Sequence, residues 1–202
     1  SYPHHHHHHH HGIMKLKELR SALQEVSAFE RAKIEFEQYP TSADLASHMV
    51  FTMQSNYESV EGKRIADLGC GCGMLSIACC LMGGRVVGFD IDPDALEIAR
   101  RNSEQLELLD AVDWLQCDVR NLPLRGLANL AHETTTETTT RDSRGRRRFL
   151  FDTVVMNPPF GTKTTVGIDM MFVEQALKVP PNWHTRPRRG SSLANDTHRR
   201  CC

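Results

Sequence analysis

The stretch that decides the fold is RIADLGCGCGMLSIA, residues 64–78, in which a short apolar strand runs into a glycine-rich turn and then a helical pattern. Its alternating glycines allow positive φ angles and a close approach of the backbone to a ligand. The N–H groups at the start of the following helix favour an electron-rich partner. The dinucleotide fingerprint Gly-x-Gly-x-x-Gly fails, because Met74 occupies its last position. The pattern instead begins with an acid, Asp67, and predicts a ligand site at a strand end.

Two more apolar runs follow, and each leads into an acidic residue. Residues 85–90 are predicted to form a strand ending at Asp90, and residues 112–118 a strand ending at Asp118. Asp90 is placed to accept hydrogen bonds from two ribose hydroxyls, and Asp118 can accept one from an adenine amine. A glycine loop and two acids on three successive strand ends predict a nucleoside pocket, since ligands of open α/β sheets bind at that edge.

A fourth apolar run, residues 151–156, ends in Asn157-Pro158-Pro159-Phe160. Neither proline has an N–H to donate, so the strand must stop and hold the asparagine in a stiff, extended turn. The Asn157 side chain and the Pro158 backbone offer two carbonyl acceptors, and Phe160 adds a flat face. This combination suits a planar group that bears an amine, although a rigid loop with a buried phenylalanine is the alternative interpretation.

Taken in order, these motifs resemble those of Class I S-adenosylmethionine-dependent methyltransferases. More narrowly, they resemble the methyltransferase-like protein 5 family, which methylates N6 of adenosine in small-subunit (18S) ribosomal RNA. The likeness runs from about residue 14 to residue 178 and includes the lead-in Glu37-Gln38-Tyr39-Pro40-Thr41. It implies a Rossmann-like α/β fold with a mostly parallel sheet. Because the family pattern stops after Lys178, we expect the last strands of the usual seven to be missing and the activity of this chain to be reduced.

The resemblance also implies a cofactor, a partner and site residues. The cofactor is S-adenosyl-L-methionine, and the partner is a small zinc-binding adaptor protein that forms a heterodimer with the methyltransferase. The chain has no zinc motif of its own, so no metal ligand is expected. Asn157 and the Pro158 carbonyl would accept the two hydrogens of the target amine, within a motif that Pro159 continues, and Phe160 would stack on the base. The cofactor would contact Gln38, Thr41, Asp67, Gly69, Gly71, Cys72, Met74, Asp90, Asp118 and Val119.

Two other functions remain open from the residues alone. An Asn-Pro-Pro-aromatic motif also suits the planar amide of glutamine, as in protein glutamine N5-methyltransferases. Phe160, where those enzymes usually carry tyrosine, and the lead-in at residues 38–41 favour RNA. The third possibility is a truncated, non-catalytic form that binds cofactor or partner and competes with an intact enzyme.

Composition sets the outer bounds. A chain of 202 residues suits one domain, and its net charge of −1 gives no sign of nucleic-acid binding, so RNA is implied by the resemblance alone. No apolar run approaches the ~18–20 residues of a membrane helix. The seven cysteines include no Cys-x-x-Cys pair, which favours reduced, structural thiols and a location in nucleus and cytoplasm.

The chain is predicted to divide into four parts. Residues 1–13 form a tag or leader with histidines 4–11, and residues 14–62 a helical segment that covers the cofactor. The methyltransferase domain spans residues 63–178, with a low-complexity insertion at 127–148, and a divergent polar tail spans 179–202. Apolar periodicity predicts helices over 15–37, 42–57, 73–82, 93–106 and 169–178. In the second of them Leu45, Met49, Val50 and Met53 share one side.

Overall fold

The computed structural model of the chain describes residues 14–28, 33, 38–122, 151–159 and 167–178. The proposed leader, insertion and tail lie outside the described residues, as does Phe160. Within them, five α-helices and four strands alternate as follows: α1 (Leu16–Leu23), α2 (Ala43–Tyr57), β1 (Arg64–Leu68), α3 (Met74–Leu81), β2 (Arg85–Asp90), α4 (Pro93–Gln105), β3 (Val112–Gln116), β4 (Thr153–Met156) and α5 (Ile168–Lys178). A short 3-10 helix, Val119–Asn121, follows β3.

The four described strands form one parallel sheet in the order β3-β2-β1-β4. This is the predicted Rossmann-like arrangement. Leu68, the last residue of β1, lies opposite Phe89 of β2 and Met156 of β4. The carboxyl ends of the three strands therefore meet at one edge, where Gly69, Asp90 and Asn157 are the next residues along each chain segment.

The apolar side chains pack on both faces of the sheet, as expected for a parallel sheet covered by helices. One face packs against α1, α2 and α3, with Leu19, Val50, Ile65 and Ile77 fully buried in that layer. The other face carries a smaller core that contains Phe89, Phe151 and, from α5, Phe172. No described helix is long and apolar enough to cross a membrane.

The strand order places a crevice between β1 and β4. From β1 the chain proceeds outward through β2 to β3, and β4 then returns to the opposite side of β1. Such a reversal is a topological switch point, where helices leave opposite faces of the sheet and ligands bind beyond the strand carboxyl ends. Asp67 at the end of β1 and Asn157 after β4 are consequently brought to the same crevice.

Three predicted elements differ from the structure. The continuous helix over 15–37 is wrong, because α1 ends at Leu23. At Ser27 the backbone N–H and C=O bond to the side chain of Asn102 on α4, at 3.0 Å each, instead of continuing the helical ladder. The strand predicted over 112–118 ends at Gln116, since Asp118 caps the 3-10 helix through the N–H of Arg120.

The apolar stripe predicted for the second helix is also only partly buried. Leu45 is 59% exposed, whereas Ala46, Ser47, Val50 and Gln54 form the buried side of α2. Gln54 is buried because its side-chain oxygen accepts hydrogen bonds from the N–H groups of Val60 and Glu61, at 3.1 and 2.8 Å. A polar residue with satisfied hydrogen bonds can thus lie on the buried side of a helix, which apolar periodicity does not predict.

Candidate active site

The glycine loop after β1 is a compact turn held by the neighbouring strand. The backbone N–H groups of Gly69 and Cys70 both donate to the carbonyl of Phe89, at 2.8 and 3.0 Å. Gly69 has a φ of +73°, and a Cβ at that position would lie 2.9 Å from the ring of Phe172 on α5. Glycine is therefore required there both by the backbone conformation and by the close approach of α5.

Asp67 is the most unusual charged group of the loop region. Its carboxylate is buried, and Oδ2 accepts a hydrogen bond of 2.6 Å from the hydroxyl of Ser76 on α3. Oδ1 is buried with no hydrogen-bond partner among the described residues. Burial raises the pKa of Asp67 to about 7, despite the opposing bond from Ser76. An unsatisfied oxygen on a cavity wall implies an absent donor, and a cationic amino group would satisfy it.

Asp90, the last residue of β2, is a second carboxylate on the cavity wall. Its two oxygens accept hydrogen bonds from the backbone N–H groups of Gly71 and Asp92, at 2.7 and 2.9 Å. Burial raises the pKa of this carboxyl, although both hydrogen bonds favour its ionised form. The bonds fix the orientation of the carboxylate beside the glycine loop. Each oxygen keeps a further lone pair, which a hydroxyl of a bound nucleoside can use.

Asp118 differs from the other two acids because the structure gives it a charged partner. The Arg120 guanidinium donates from Nε to both oxygens, at 2.9 and 2.8 Å, and from its terminal nitrogen at 2.5 Å. These hydrogen bonds hold the pKa of Asp118 below its usual value. Any adenine contact at this carboxylate would have to share it with Arg120, and the sequence pattern gave no sign of that pair.

The lead-in at residues 38–41 lines the crevice and is anchored to the N-terminus of α4. Asp92, the N-cap of α4, accepts from the side chain of Gln38 at 2.7 Å and from the ammonium of Lys33 at 2.6 Å. Burial disfavours ionisation of Asp92, but the bonds from Lys33 and Gln38 outweigh it and lower its pKa. Lys33 also reaches Asp94 at 2.7 Å. These side chains hold the segment in place.

Asn157 contacts that segment through its side chain. Its side-chain Nδ2 donates to the hydroxyl of Thr41 at 3.0 Å and approaches the Tyr39 carbonyl at 3.4 Å. No described residue donates to its Oδ1, so that oxygen remains an available acceptor. Pro158 and Pro159 follow with no cis peptide bond among the described residues.

An open cavity of about 300 Å³ joins these residues into one site. All ten residues predicted to contact the cofactor line it, together with Asn157 and Pro159. Pro158 is not part of the lining, and Phe160 lies outside the described residues. The roles assigned to these residues remain predictions, but the fold does gather the described ones around one crevice, with Pro158 alone set back from the wall.

The sequence did not identify several lining residues. Some are neighbours of predicted residues along the chain, but the largest omission is an apolar wall from α5 formed by Ile168, Met171 and Phe172. The only signal was the apolar periodicity of residues 169–178, which by itself indicates a core helix. The close contact of Phe172 with Gly69 could not be read from spacing.

Cys70 and Cys72 also belong to the site, as lining residues and not as reactive groups. Both are buried free thiols, and burial raises the pKa of each. The thiolate form is thereby disfavoured, which argues against a nucleophilic or redox role. Within the described part of the chain, no cluster of three or more histidine, cysteine or acidic side chains could hold a metal ion.

Comparison with known proteins places this chain in a family. A family model for a methyltransferase domain matches residues 65–139. The chain is 46% identical over 167 residues to rRNA N(6)-adenosine-methyltransferase METTL5 of Danio rerio, which covers 82% of this chain and 70% of that protein. The Drosophila melanogaster Mettl5 is 45% identical, with coverage of 82% and 68%.

A solved structure agrees in fold. The crystal structure of PH1948 from Pyrococcus horikoshii, a candidate RNA methyltransferase, superposes with a TM-score of 0.62 at 27% identity. It covers 81% of this chain and 69% of the archaeal one. The sequence identity to the curated relatives, the shared fold and the strand-end site lead to one conclusion: the chain belongs to the METTL5 family of rRNA N(6)-adenosine-methyltransferases.

Proposed function

We propose that this chain transfers a methyl group from S-adenosyl-L-methionine to N6 of an adenosine in ribosomal RNA. The observation that carries the proposal is the meeting of the three strand-end acids and Asn157 on one cavity at the switch point. The two relatives that are 46% and 45% identical are named as rRNA N6-adenosine methyltransferases, and their names supply the substrate.

The residues present fit the cofactor. Its amino group would satisfy the unpartnered Oδ1 of buried Asp67, and its ribose hydroxyls would meet Asp90. Val119 and Asp118 would contact the adenine, while Gln38 and Thr41 cover the site from the lead-in. When bound, the cofactor supplies an activated methyl group on a sulfonium.

Asn157 would increase the reactivity of the acceptor nitrogen, which is a weak nucleophile. The N6 lone pair of adenine is delocalised into the ring, so the amine needs help to become pyramidal. A hydrogen bond from one N–H group to Asn157 Oδ1 would favour that geometry and the charge that develops on nitrogen. The resemblance assigns the other N–H group to the Pro158 carbonyl, although Pro158 does not line the cavity. Alignment of the reacting groups supplies the rest, for which oriented groups contribute on the order of 7–11 kcal/mol. As the C–N bond forms and the S–C bond breaks, the nitrogen would become cationic and strongly acidic. Its proton would then pass to water in the open cavity, so no strong general base is required.

The substrate must present its adenine to this crevice unpaired. A base inside a duplex would have to leave the stack, at a cost of a few kcal/mol. An adenosine in a loop or a single-stranded end avoids most of that cost. The proposal therefore favours an exposed adenosine in folded ribosomal RNA.

The decisive experiment incubates the purified chain with methyl-labelled cofactor and small-subunit ribosomal RNA. The RNA is then digested to nucleosides and separated by chromatography with mass detection. Labelled N6-methyladenosine supports the proposal. Label found only in protein, or in another nucleoside, would overturn it.

Asn157→Ala tests the acceptor side, and it is the largest effect we expect. Removal of one preorganised oxyanion-hole donor costs about 10²–10³ in kcat, and we expect a loss of that order for this preorganised acceptor. Cofactor affinity, measured by calorimetry, should change less than about twofold, because the expected cofactor contacts lie on other strand ends. Asn56→Ala, an exposed asparagine on α2, is the matched control. Unchanged transfer by the Asn157 variant would refute the proposed role.

We also propose, from the family resemblance, that a small zinc-binding adaptor protein pairs with this chain. Among the described strands, β4 is paired only to β1 and so lies at the edge of the sheet, where a partner can cover it. Co-expression with the adaptor should raise soluble yield and give a heterodimer on gel filtration. Separate elution of the two proteins after co-expression would refute the pairing.

The resemblance further leads us to propose a location in nucleus and cytoplasm, where ribosomal RNA is made and used. Free thiols at all five described cysteines are consistent with reducing compartments. Fluorescence microscopy of the tagged chain tests this, and a signal confined to the secretory pathway would refute it.

A further inference from the structure

The side-chain amide of Asn157 is held at one of its two ends. Nδ2 donates to the hydroxyl of Thr41 at 3.0 Å and approaches the Tyr39 carbonyl at 3.4 Å. Both acceptors belong to the lead-in segment, more than a hundred residues away in sequence. The two ends of an asparagine amide have nearly the same shape but opposite hydrogen-bonding roles, so its orientation is chemically decisive.

The contacts favour one orientation over its flip. A rotation of the amide by 180° would turn Oδ1 toward the Tyr39 carbonyl, and two acceptor oxygens would then face each other. The Thr41 hydroxyl could adapt by donating, but the backbone carbonyl could not. The observed arrangement keeps Nδ2 on the lead-in and leaves Oδ1 as the free end, which is the end that an acceptor amine needs.

We propose that the lead-in fixes the amide of Asn157 with Oδ1 available to the substrate. The Tyr39 carbonyl selects the orientation because it can only accept, and the shorter bond to the Thr41 hydroxyl holds Nδ2 in that orientation, which makes Thr41 a positioning residue. The inference rests on the proposed function and deepens it, since Thr41 was expected only to contact the cofactor. It makes the lead-in serve both substrates: Gln38 and Thr41 line the cofactor cavity, and Thr41 also orients the group that receives the target amine. The ordered lead-in would therefore contribute both to cofactor binding and to the orientation of the group that receives the target amine.

Steady-state and single-turnover kinetics separate this role from a cofactor contact. Thr41→Val keeps the shape and removes the hydroxyl, and Thr41→Ser keeps the hydroxyl. We expect Thr41→Val to lower kcat about tenfold, with KM for RNA and Kd for the cofactor within about twofold, and Thr41→Ser to restore most of the rate. Thr52→Val, an exposed threonine on α2, is the control. A weaker cofactor Kd with unchanged kcat would overturn the proposal.

An NMR measurement that does not depend on methyl transfer tests the role of Thr41 separately from the proposed function. The side-chain amide resonances of Asn157 can be identified in ¹⁵N spectra of the full chain by their loss in Asn157→Asp. We expect Thr41→Val to speed solvent exchange of these protons about tenfold, and Thr41→Ser to leave it near the wild-type rate. Equal exchange in the wild type and Thr41→Val would overturn the positioning role. Failure of the wild type to methylate RNA would instead overturn the proposed function, and the exchange result would still decide the role of Thr41.

Discussion

The cofactor side and the acceptor side of the cavity are built in different ways. On the cofactor side, the glycine loop is fixed by backbone hydrogen bonds from Gly69 and Cys70 to β2, and its acids sit at the ends of buried strands. On the acceptor side, the lead-in is held by side chains, namely the bonds of Gln38 and Lys33 to Asp92 and of Asn157 to Thr41.

This difference has consequences for function. A loop held by backbone bonds between buried strands keeps its geometry through most single side-chain changes, so the cofactor side is preorganised. A segment held by a few partly exposed side chains opens at low free-energy cost. The cofactor site should therefore tolerate perturbation of the lead-in better than methyl transfer does. Two substitutions and two solution conditions can break or sharpen this contrast.

Asp67→Asn should have the largest effect on the cofactor side. The amide preserves the shape and can still bond to Ser76, but it removes the charge beside the unpartnered oxygen position. Hydrogen bonds to charged groups contribute about 1.5–3 kcal/mol, so cofactor affinity at pH 8 should fall about 10–100-fold by calorimetry. Asp113→Asn, an exposed acid on β3, is the control. Wild-type affinity in the Asp67 variant would show that this carboxylate does not contact the cofactor.

The pH dependence of the stability of the free protein should reflect the titration of the Asp67 carboxyl group. Because its folded pKa is raised from 3.8 to about 7, the free protein holds a proton there that the unfolded chain has already released. Stability contributed by this group is therefore fully present near pH 4, falls as pH rises toward 7, and is level above. Thermal melts of the free protein should show this decline, and Asp67→Asn should flatten it.

Cofactor affinity, unlike stability, should increase as pH rises toward 7. Binding of a cationic amino group needs the ionised carboxylate, so affinity should fall about tenfold for each pH unit below 7 and be nearly constant just above it. Calorimetry across this range, with Asp67→Asn as the comparison, checks the sign. An affinity that is independent of pH in the wild type would contradict the raised pKa.

The strand-end residues that line the cavity could be located from the sequence, whereas the contacts of the lead-in could not, for a physical reason. Strand, glycine turn and strand-end acid are local patterns, and the parallel sheet brings them together without further information. The links between Thr41 and Asn157, and between Lys33 and Asp92, join residues distant in the chain and carry no periodicity. The continuous helix over 15–37 failed for the same reason, because Asn102 captures the backbone at Ser27.

The smallest expected effect comes from the latch formed by Lys33 with Asp92 and Asp94. Lys33→Met keeps the apolar stem and removes both ion pairs, while Gln38 retains its bond to Asp92. The Lys33–Asp94 pair is exposed and contributes little, about 0–1 kcal/mol. Asp92 is buried, but its carboxylate keeps the hydrogen bonds from Gln38 and from the N–H of Asp94 when the lysine is removed. We therefore expect kcat to fall only about two- to fivefold, with cofactor Kd nearly unchanged, because the glycine loop does not depend on the latch.

The ionic-strength dependence of the rate and a control variant test whether the effect of Lys33→Met comes from its ion pairs. Raising ionic strength should screen mainly the exposed Lys33–Asp94 pair, so it should lower the wild-type rate part of the way toward that of Lys33→Met and should affect the variant less. RNA binding also weakens in salt, so the comparison is made at saturating RNA. Lys17→Met, an exposed lysine on α1, controls for the loss of one positive charge. A larger loss of cofactor affinity than of kcat in Lys33→Met would mean that the lead-in supports the cofactor more than the acceptor, and would reverse the contrast between the two sides.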